Sequence, residues 1–163
     1  LSRNQLTDVK GLEKLTKLEE LLLNYNQLTE VPKGLEKLTQ FEFLNLDKNQ
    51  LTNVKGLEKL TQLKELTLSN NKLTNVKGLE KLTKLEVLDL NDNKITSVKG
   101  LENLTQLEFL NLYDNQLTSV KGLENLTQLE LLWLENNPDL TKAQIAELKK
   151  ALPKCKIESN PTK

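Results

Sequence analysis

The stretch LKELTLSNNKLTNVKGLEKLTK, residues 63–84, is one complete copy of the unit from which most of the chain is built. Its apolar residues and one asparagine follow the pattern L-x-x-L-x-L-x-x-N-x-L, which begins at Leu63 and ends at Leu73. The asparagine recurs every 22 residues, with one interval of 23, and its seven copies are Asn4, Asn26, Asn49, Asn71, Asn93, Asn115 and Asn137. A fixed period of this length indicates a solenoid in which each unit forms one coil.

Each part of the unit predicts a local structure. Leu66 and Leu68 alternate with polar residues, as in a short strand that turns both leucines to one face. The asparagine is expected to end the strand and to bond backbone groups at the turn and in the next coil, which would form a buried polar ladder. On the return leg, Leu101 and Leu104 are three residues apart and indicate a single turn of helix or 3₁₀ helix.

The return legs also explain how the coils stack. All the glycines of the chain lie at one position where the backbone must turn, namely Gly11, Gly34, Gly56, Gly78, Gly100 and Gly122. The leg Val31–Gly34 is one residue longer because it contains Pro32, and we expect a local bulge there. One coil cannot cover its own leucines. Neighbouring coils should therefore stack about 4.8 Å apart, and seven strands at this spacing form a parallel sheet roughly 30 Å across.

These residues resemble the leucine-rich-repeat superfamily from Leu1 to about Leu140. The 22-residue period and the return segment V-K-G-L-E-x-L-T are similar to the internalin-like class of bacterial proteins. The resemblance implies an α/β fold, a right-handed solenoid with a parallel concave β-sheet, short 3₁₀ or helical turns on the convex side and a C-terminal capping helix. It implies protein recognition as the common role. The chain shows neither the helical N-terminal cap nor the wall anchor of internalins, so a host-receptor role is not supported.

We expect three segments along the chain. Residues 1–140 form the solenoid, with about seven repeats of which the first is partial. Residues 141–157 form a C-terminal cap, with a helix over about 142–152 followed by a short strand, and residues 158–163 form a polar tail. The chain starts at the third leucine of a motif. Either a cap lies upstream, or the first coil is exposed and frays or pairs with another molecule.

The predicted cap has its own sequence signals. Thr141 and Gln144 have the spacing of a capping box, with the threonine at the N-cap. The helix should present an apolar face and stop at Pro153, and its apolar residues are Ile145, Leu148 and Leu152. An amphipathic helix is what the last coil of a solenoid needs to cover its core. A partner-binding helix is the alternative interpretation.

The candidate binding surface lies on the concave face, where the repeats differ from one another. The return segment hardly varies between copies, whereas the outward strand positions vary strongly. Of the six aromatic residues, only Phe41 occupies a core leucine position, and the other five map to the concave sheet. Exposed aromatic residues are enriched in binding hot spots, although rings that only cover the sheet are the alternative. The predicted partner-binding residues are Tyr25, Phe43, Asp89, Phe109, Asn111, Tyr113, Asp114, Leu131, Trp133 and Glu135.

Charge is sorted between the two faces even though the formal net charge is zero. Acidic residues map on or near the concave side, and they are Glu19, Glu42, Asp47, Glu86, Asp89, Asp92, Glu108, Asp114, Glu130 and Glu135. An acidic face with aromatic residues favours a protein partner with a cationic or mixed surface and disfavours nucleic acid. Lysines recur on the return legs, where we interpret them as a solvated face. No stretch is long and apolar enough to predict membrane insertion.

The residue types present predict a protein that is not an enzyme and that uses no cofactor or metal. The chain contains no histidine, which removes the commonest general base and zinc ligand. Asp92 and Asp114 could act as an acid–base pair, or with Asp89 could hold Ca²⁺, but surface aspartates near a turn are the preferred interpretation. The single cysteine, Cys155, is interpreted as a small core residue.

Two other functions remain open from the sequence. The near-identical repeats and the N-terminal end without a recognisable cap suggest a structural or self-associating unit. An engineered repeat scaffold is a further alternative, against which the irregular 23-residue repeat and the change of lysine to asparagine at Asn103 and Asn125 argue. Neither the compartment nor the partner follows from the sequence. Secretion or surface exposure is plausible if an upstream segment exists, because the chain itself contains no signal peptide.

Overall fold

The computed structural model describes residues 1–163 and forms one parallel sheet of seven strands in chain order. Each strand has three residues: β1 Glu20–Leu22, β2 Phe43–Asn45, β3 Glu65–Thr67, β4 Val87–Asp89, β5 Phe109–Asn111, β6 Leu131–Trp133 and β7 Lys156–Glu158. The predicted leucine-rich-repeat solenoid is confirmed. The origin of the seventh strand differs from the prediction, because the first repeat forms no strand and β7 comes from the segment after the capping helix.

The return legs form the opposite wall of each coil. Three of them contain a three-residue 3₁₀ helix, at Leu12–Lys14, Leu35–Lys37 and Leu123–Asn125. The others are turns in which Leu57 N–H donates to the Val54 carbonyl and equivalent residues repeat the bond. In the longer leg, the corresponding bond runs from Leu35 N–H to the Pro32 carbonyl, so the buried proline is inserted just before the turn.

A single continuous core of 43 residues lies between the sheet and the return legs. Leucine residues such as Leu66, Leu68 and Leu79 are fully buried, and so is Phe41 in its leucine position. Burying one leucine side chain contributes about 1.5–3 kcal/mol. The chain is only 37% hydrophobic, yet it builds this core because the apolar residues recur at the same inward positions in every coil.

The asparagine ladder is present in six of the seven copies, whereas the exposed Asn4 of the first coil bonds only the Leu1 and Ser2 carbonyls. The Nδ2 group of Asn93 donates to the Leu90 carbonyl of its own coil at 3.1 Å and to the Leu68 carbonyl at 3.0 Å. Its Oδ1 atom accepts the Leu73 N–H at 3.0 Å. Leu68 and Leu73 belong to the preceding coil. The ladder asparagine therefore bonds to the preceding coil, whereas the sequence predicted bonds to the next one. Five more asparagines repeat the pattern, Asn26, Asn49, Asn71, Asn115 and Asn137.

The glutamate of five return legs has a structural role that the sequence did not reveal. The Glu102 carboxylate accepts the N–H of Gly100, whose φ is +106°, and five such contacts in successive coils measure 2.5–2.8 Å. Hydrogen bonds from its own backbone N–H and from the Gly100 N–H hold the pKa of Glu102 below its usual value. Glycine is required because other residues strain at this φ.

The last coil is covered by the helix α1, Lys142–Ala151. It begins with the predicted capping box, in which the Thr141 hydroxyl accepts the Gln144 N–H. Ile145 and Leu148 are buried against the core. The predicted polar tail contacts the last coil, since the Asn136 N–H donates to the Asn160 side chain. This ten-residue helix and the 3₁₀ helices are all too short and too polar to cross a bilayer.

Candidate functional site

The concave face consists of two rows of outward side chains. In every strand the central leucine or isoleucine is buried, so the first and third residues turn away from the core. The sheet register aligns the first residues as Glu20, Phe43, Glu65, Val87, Phe109, Leu131 and Lys156. It aligns the third residues as Leu22, Asn45, Thr67, Asp89, Asn111, Trp133 and Glu158.

The C-terminal half of these rows forms an apolar platform, made of Val87, Phe109, Leu131 and Trp133. The first three are half-buried neighbours on β4, β5 and β6, with strands about 4.8 Å apart. The rings of Phe109 and Trp133 pack edge to face with centroids 5.4 Å apart and an interplanar angle of 81°. Trp133 remains 37% exposed. Val87 is not among the residues predicted from the sequence, although its alignment with Phe109 in the repeat pattern indicates the same outward position.

The five concave rings do not form one patch. Phe109 and Trp133 form the one ring–ring contact. Phe43 lies on β2, three strands from Phe109, which corresponds to about 14 Å. The Tyr113 hydroxyl accepts the Nδ2 group of Asn136 at 2.8 Å. Mapping all five rings to the concave sheet therefore does not bring them together in one cluster, and the aromatic surface is concentrated on β5 and β6.

Tyr25 lies near the N-terminal end and is engaged by cations of its own chain. The Arg3 guanidinium and the Lys48 ammonium lie 4.8 Å and 4.5 Å from its ring centroid. The Lys48 ammonium also donates to the Tyr25 hydroxyl at 2.9 Å, and this hydrogen bond lowers the pKa of the phenol. Tyr25 and the apolar platform are separate features.

The prediction that Asn111 belongs to the accessible binding surface is wrong. Its side chain is only 3% exposed, and its Oδ1 atom accepts the Tyr113 N–H at 3.0 Å. Asn111 therefore holds the backbone at the end of β5 and offers no accessible surface. The half-buried carboxylate of Asp89 makes the equivalent bond to the Asn91 N–H at 3.1 Å. Glu135 is half-buried and Asp114 is exposed on the same side.

The residue before each ladder asparagine adopts a left-handed backbone conformation. Seven residues share φ values of +49° to +57°, and they are Arg3, Tyr25, Lys48, Asn70, Asp92, Asp114 and Asn136. Asparagine and aspartate tolerate this region better than other residues apart from glycine. This column looked freely variable in the sequence, but its frequent Asn and Asp also satisfy a backbone requirement.

The surroundings of several concave carboxylates raise their pKa above the usual value. Burial raises the pKa of Asp47, and nearby Asp89 adds to the effect. Burial also raises the pKa of Asp92, with a further contribution from repulsion by Asp114. Neither Asp92 nor Asp114 forms an ion pair with a basic side chain. Lys48 acts on Asp92 without forming an ion pair, so the negative charge of this region is only partly compensated within the chain.

The acidic side chains and the single thiol lie in open or half-buried surroundings. No group of three or more His, Cys, Asp or Glu side chains is placed to hold a metal ion. Asp92 and Asp114 lie side by side on an open surface, which gives a reacting group no enclosed position. Cys155 is half-buried beside the core, and burial raises the pKa of its thiol, which disfavours the reactive thiolate.

Solved bacterial structures share this fold over almost the whole chain. An internalin of Listeria monocytogenes is 31% identical with a TM-score of 0.87, over 98% of this chain and 47% of that one. A leucine-rich-repeat protein of Leptospira interrogans is 37% identical with a TM-score of 0.84, over 90% of this chain and 38% of that one. Internalin C2 of Listeria monocytogenes is 29% identical with a TM-score of 0.90, over 99% and 71%. The chain thus spans less than half of the first two proteins.

Comparison at the sequence level defines the family. No curated protein sequence matches this chain. The family model for leucine-rich repeats, described as two copies, matches residues 16–59, 61–103 and 105–150. Members of this family commonly mediate protein–protein recognition and are generally non-catalytic. Since the matched segments cover well over half of its length and contain its strands β1 to β6, the chain belongs to the leucine-rich-repeat family.

Proposed function

We propose that this protein recognises another protein on its concave sheet and performs no catalysis there. The apolar platform is the observation that carries the proposal. Trp133 stays 37% exposed although the same row contains Thr67 and Asp89 in other coils, so the fold itself does not need a ring there. Exposed aromatic clusters of this kind supply much of the binding free energy in protein interfaces.

The scaffold favours tight recognition by this surface. Phe109 and Trp133 project from strands whose backbones are hydrogen-bonded on both sides, and their mutual packing restricts both rings before any partner arrives. A preorganised surface loses less conformational entropy on binding than a flexible loop would. Leu131 lies beside Phe109 in the sheet register, and Asp89, Asp114 and Glu135 complete the proposed contact region.

The decisive experiment replaces the rings with residues that other coils already carry at the same positions. We choose Phe109→Val as in Val87, Tyr113→Ser as in Ser69, and Trp133→Asn as in Asn45, because these exchanges are compatible with the fold. The triple variant should lose a partner captured by the unaltered chain while its melting temperature changes little. The partner is then purified and its affinity for both proteins is measured by titration calorimetry.

A matched control is available on the return legs. Asn103→Lys and Asn125→Lys copy Lys59 and Lys81 and should leave binding unchanged. If the captured partner binds the triple variant as tightly as it binds the unaltered chain, recognition through this face is refuted. An enzymatic role would require an activity that disappears with Asp92→Asn or Asp114→Asn.

Self-association is a second candidate, suggested by the near-identical repeats. Light scattering over a range of concentrations tests the idea, and a molecular mass that stays monomeric throughout contradicts it.

A further inference from the structure

We propose that the occupant of the concave face is a protein segment in which an aromatic or large aliphatic side chain is flanked by lysine or arginine residues. The inference rests on the proposed function and specifies the chemistry of the partner. The apolar platform would receive the apolar side chain, and the carboxylates on its two sides would receive the cations.

The platform lies between two lines of carboxylates. On one side, each platform residue of the first row is preceded in the chain by an exposed or half-buried glutamate, so Glu86, Glu108 and Glu130 border Val87, Phe109 and Leu131. On the other side, toward the ends of the strands, lie Asp89, Asp92, Asp114 and Glu135. An apolar centre with a charged rim is the arrangement found in protein interfaces.

This rim is available to an external cation. The ion pairs of the chain join Lys10 to Asp8, Lys64 to Glu42, Lys156 to Glu158 and Lys163 to Asp139, and none includes a rim carboxylate. Two basic residues of the concave side act on the rim without forming an ion pair with it, Lys64 on Glu86 and Lys48 on Asp92, and each has another partner at closer range. Lys64 and Lys156 are paired with glutamates, and Arg3 and Lys48 lie over Tyr25.

The same geometry argues against other occupants. A nucleic acid would bring its phosphates against Asp92 and Asp114, where like charges repel. An acidic protein surface would meet the same repulsion on both sides of the platform. A purely apolar segment would leave the rim carboxylates partly desolvated without a partner, which costs free energy. A segment with cations on both sides of one apolar side chain provides an apolar contact for the platform and opposite charges for both lines of rim carboxylates.

The test uses the full chain and a phage-displayed library of random linear peptides as the probe. Peptides selected on the unaltered chain, in about 0.1 M salt, should carry Lys or Arg on both sides of an aromatic or large aliphatic residue. The most enriched peptide is then synthesised with a fluorophore, and its dissociation constant is measured by fluorescence anisotropy.

Two sets of variants separate the contributions of platform and rim. Asp89→Asn, Asp92→Asn and Asp114→Asn together remove three charges and copy Asn45, Asn70 and Asn136, which occupy the same positions in other coils. Phe109→Val with Trp133→Asn removes the ring pair. Each set should weaken the peptide by about tenfold or more, and about 1 M salt should weaken binding to the unaltered chain.

A control with the same change in net charge lies on the return legs. Asn103→Lys, Asn125→Lys and Gln128→Lys together copy Lys59, Lys81 and Lys84 at equivalent positions and should change the affinity by less than about twofold. If this control weakens binding as much as the three aspartate changes do, the effect is one of overall charge and the proposed rim contacts are overturned.

The results also show whether the proposed class of partner fails alone or whether recognition on the concave face fails with it. Enriched peptides that are acidic or uncharged, or a library that yields no enrichment, overturn the basic occupant. In that case, a native partner that is captured by the unaltered chain and lost by the ring variant still supports recognition on this face. Basic peptides that bind both sets of variants as tightly as the unaltered chain overturn the proposed site, since they would be bound elsewhere.

Discussion

Replacing one ladder asparagine by alanine tests how the coils are held together. In Asn93→Ala, the Leu73 N–H loses its acceptor, the Oδ1 atom at 3.0 Å. Leu73 is fully buried, so water cannot replace that acceptor. An unsatisfied buried donor costs about 1–3 kcal/mol. This single orphaned group is the largest expected contribution to the loss of stability.

The carbonyl groups bonded to Asn93 lose less free energy than the Leu73 N–H because each keeps a second amide donor. The Leu68 carbonyl still accepts from Asn71, and the Leu90 carbonyl still accepts from Asn115. Each lost bond then costs about 0.5–1.5 kcal/mol. The total destabilisation of Asn93→Ala is therefore about 2–6 kcal/mol, which corresponds to a fall in melting temperature of about 4–24 °C for a chain of this length.

Urea denaturation followed by circular dichroism measures the loss, and hydrogen exchange at the Leu73 amide localises it. The control is Asn75→Ala, which removes the same amide from an exposed site where Oδ1 accepts the Lys77 N–H. The control should lose about 1 kcal/mol or less. Equal losses in the two variants, or an unchanged exchange rate at Leu73, would refute the assignment of the ladder as the bond between coils.

Three further changes test the return legs and the cap. Gly100→Ala should destabilise the chain by about 1–3 kcal/mol in thermal unfolding, because φ is +106° and the new Cβ would lie 3.0 Å from Glu80 Cγ. Glu102→Gln should flatten the pH dependence of stability. The lowered pKa of Glu102 means that its contribution is present above the unfolded pKa and is lost as pH falls through the folded pKa, so an unchanged acid limb contradicts the carboxylate contact. Thr141→Ala should cost about 1 kcal/mol through loss of the Gln144 N–H bond, and Thr141→Ser should retain most of it.

The candidate site was predictable from the sequence only in part. The repeat pattern identifies the outward strand positions, and thereby Phe109, Leu131 and Trp133, because strand alternation applies equally in every coil. It does not reveal how accessible each of these side chains is. Asn111 occupies an outward position and yet is buried, since it lies between Asp89 and Trp133 in the sheet register and is engaged by the Tyr113 backbone.

The coil, its inward leucines and its asparagine ladder follow from the repeat pattern alone. These features depend on contacts within one coil and between adjacent coils, and both are repeated at a constant separation along the chain. The tertiary structure alone decided which outward side chains meet. The parallel register brings the rings of Phe109 and Trp133 into contact, and the left-handed backbone at Tyr25 places its ring between Arg3 and Lys48. No periodic rule governs these positions, because their surroundings depend on the size and charge of individual neighbours on adjacent strands.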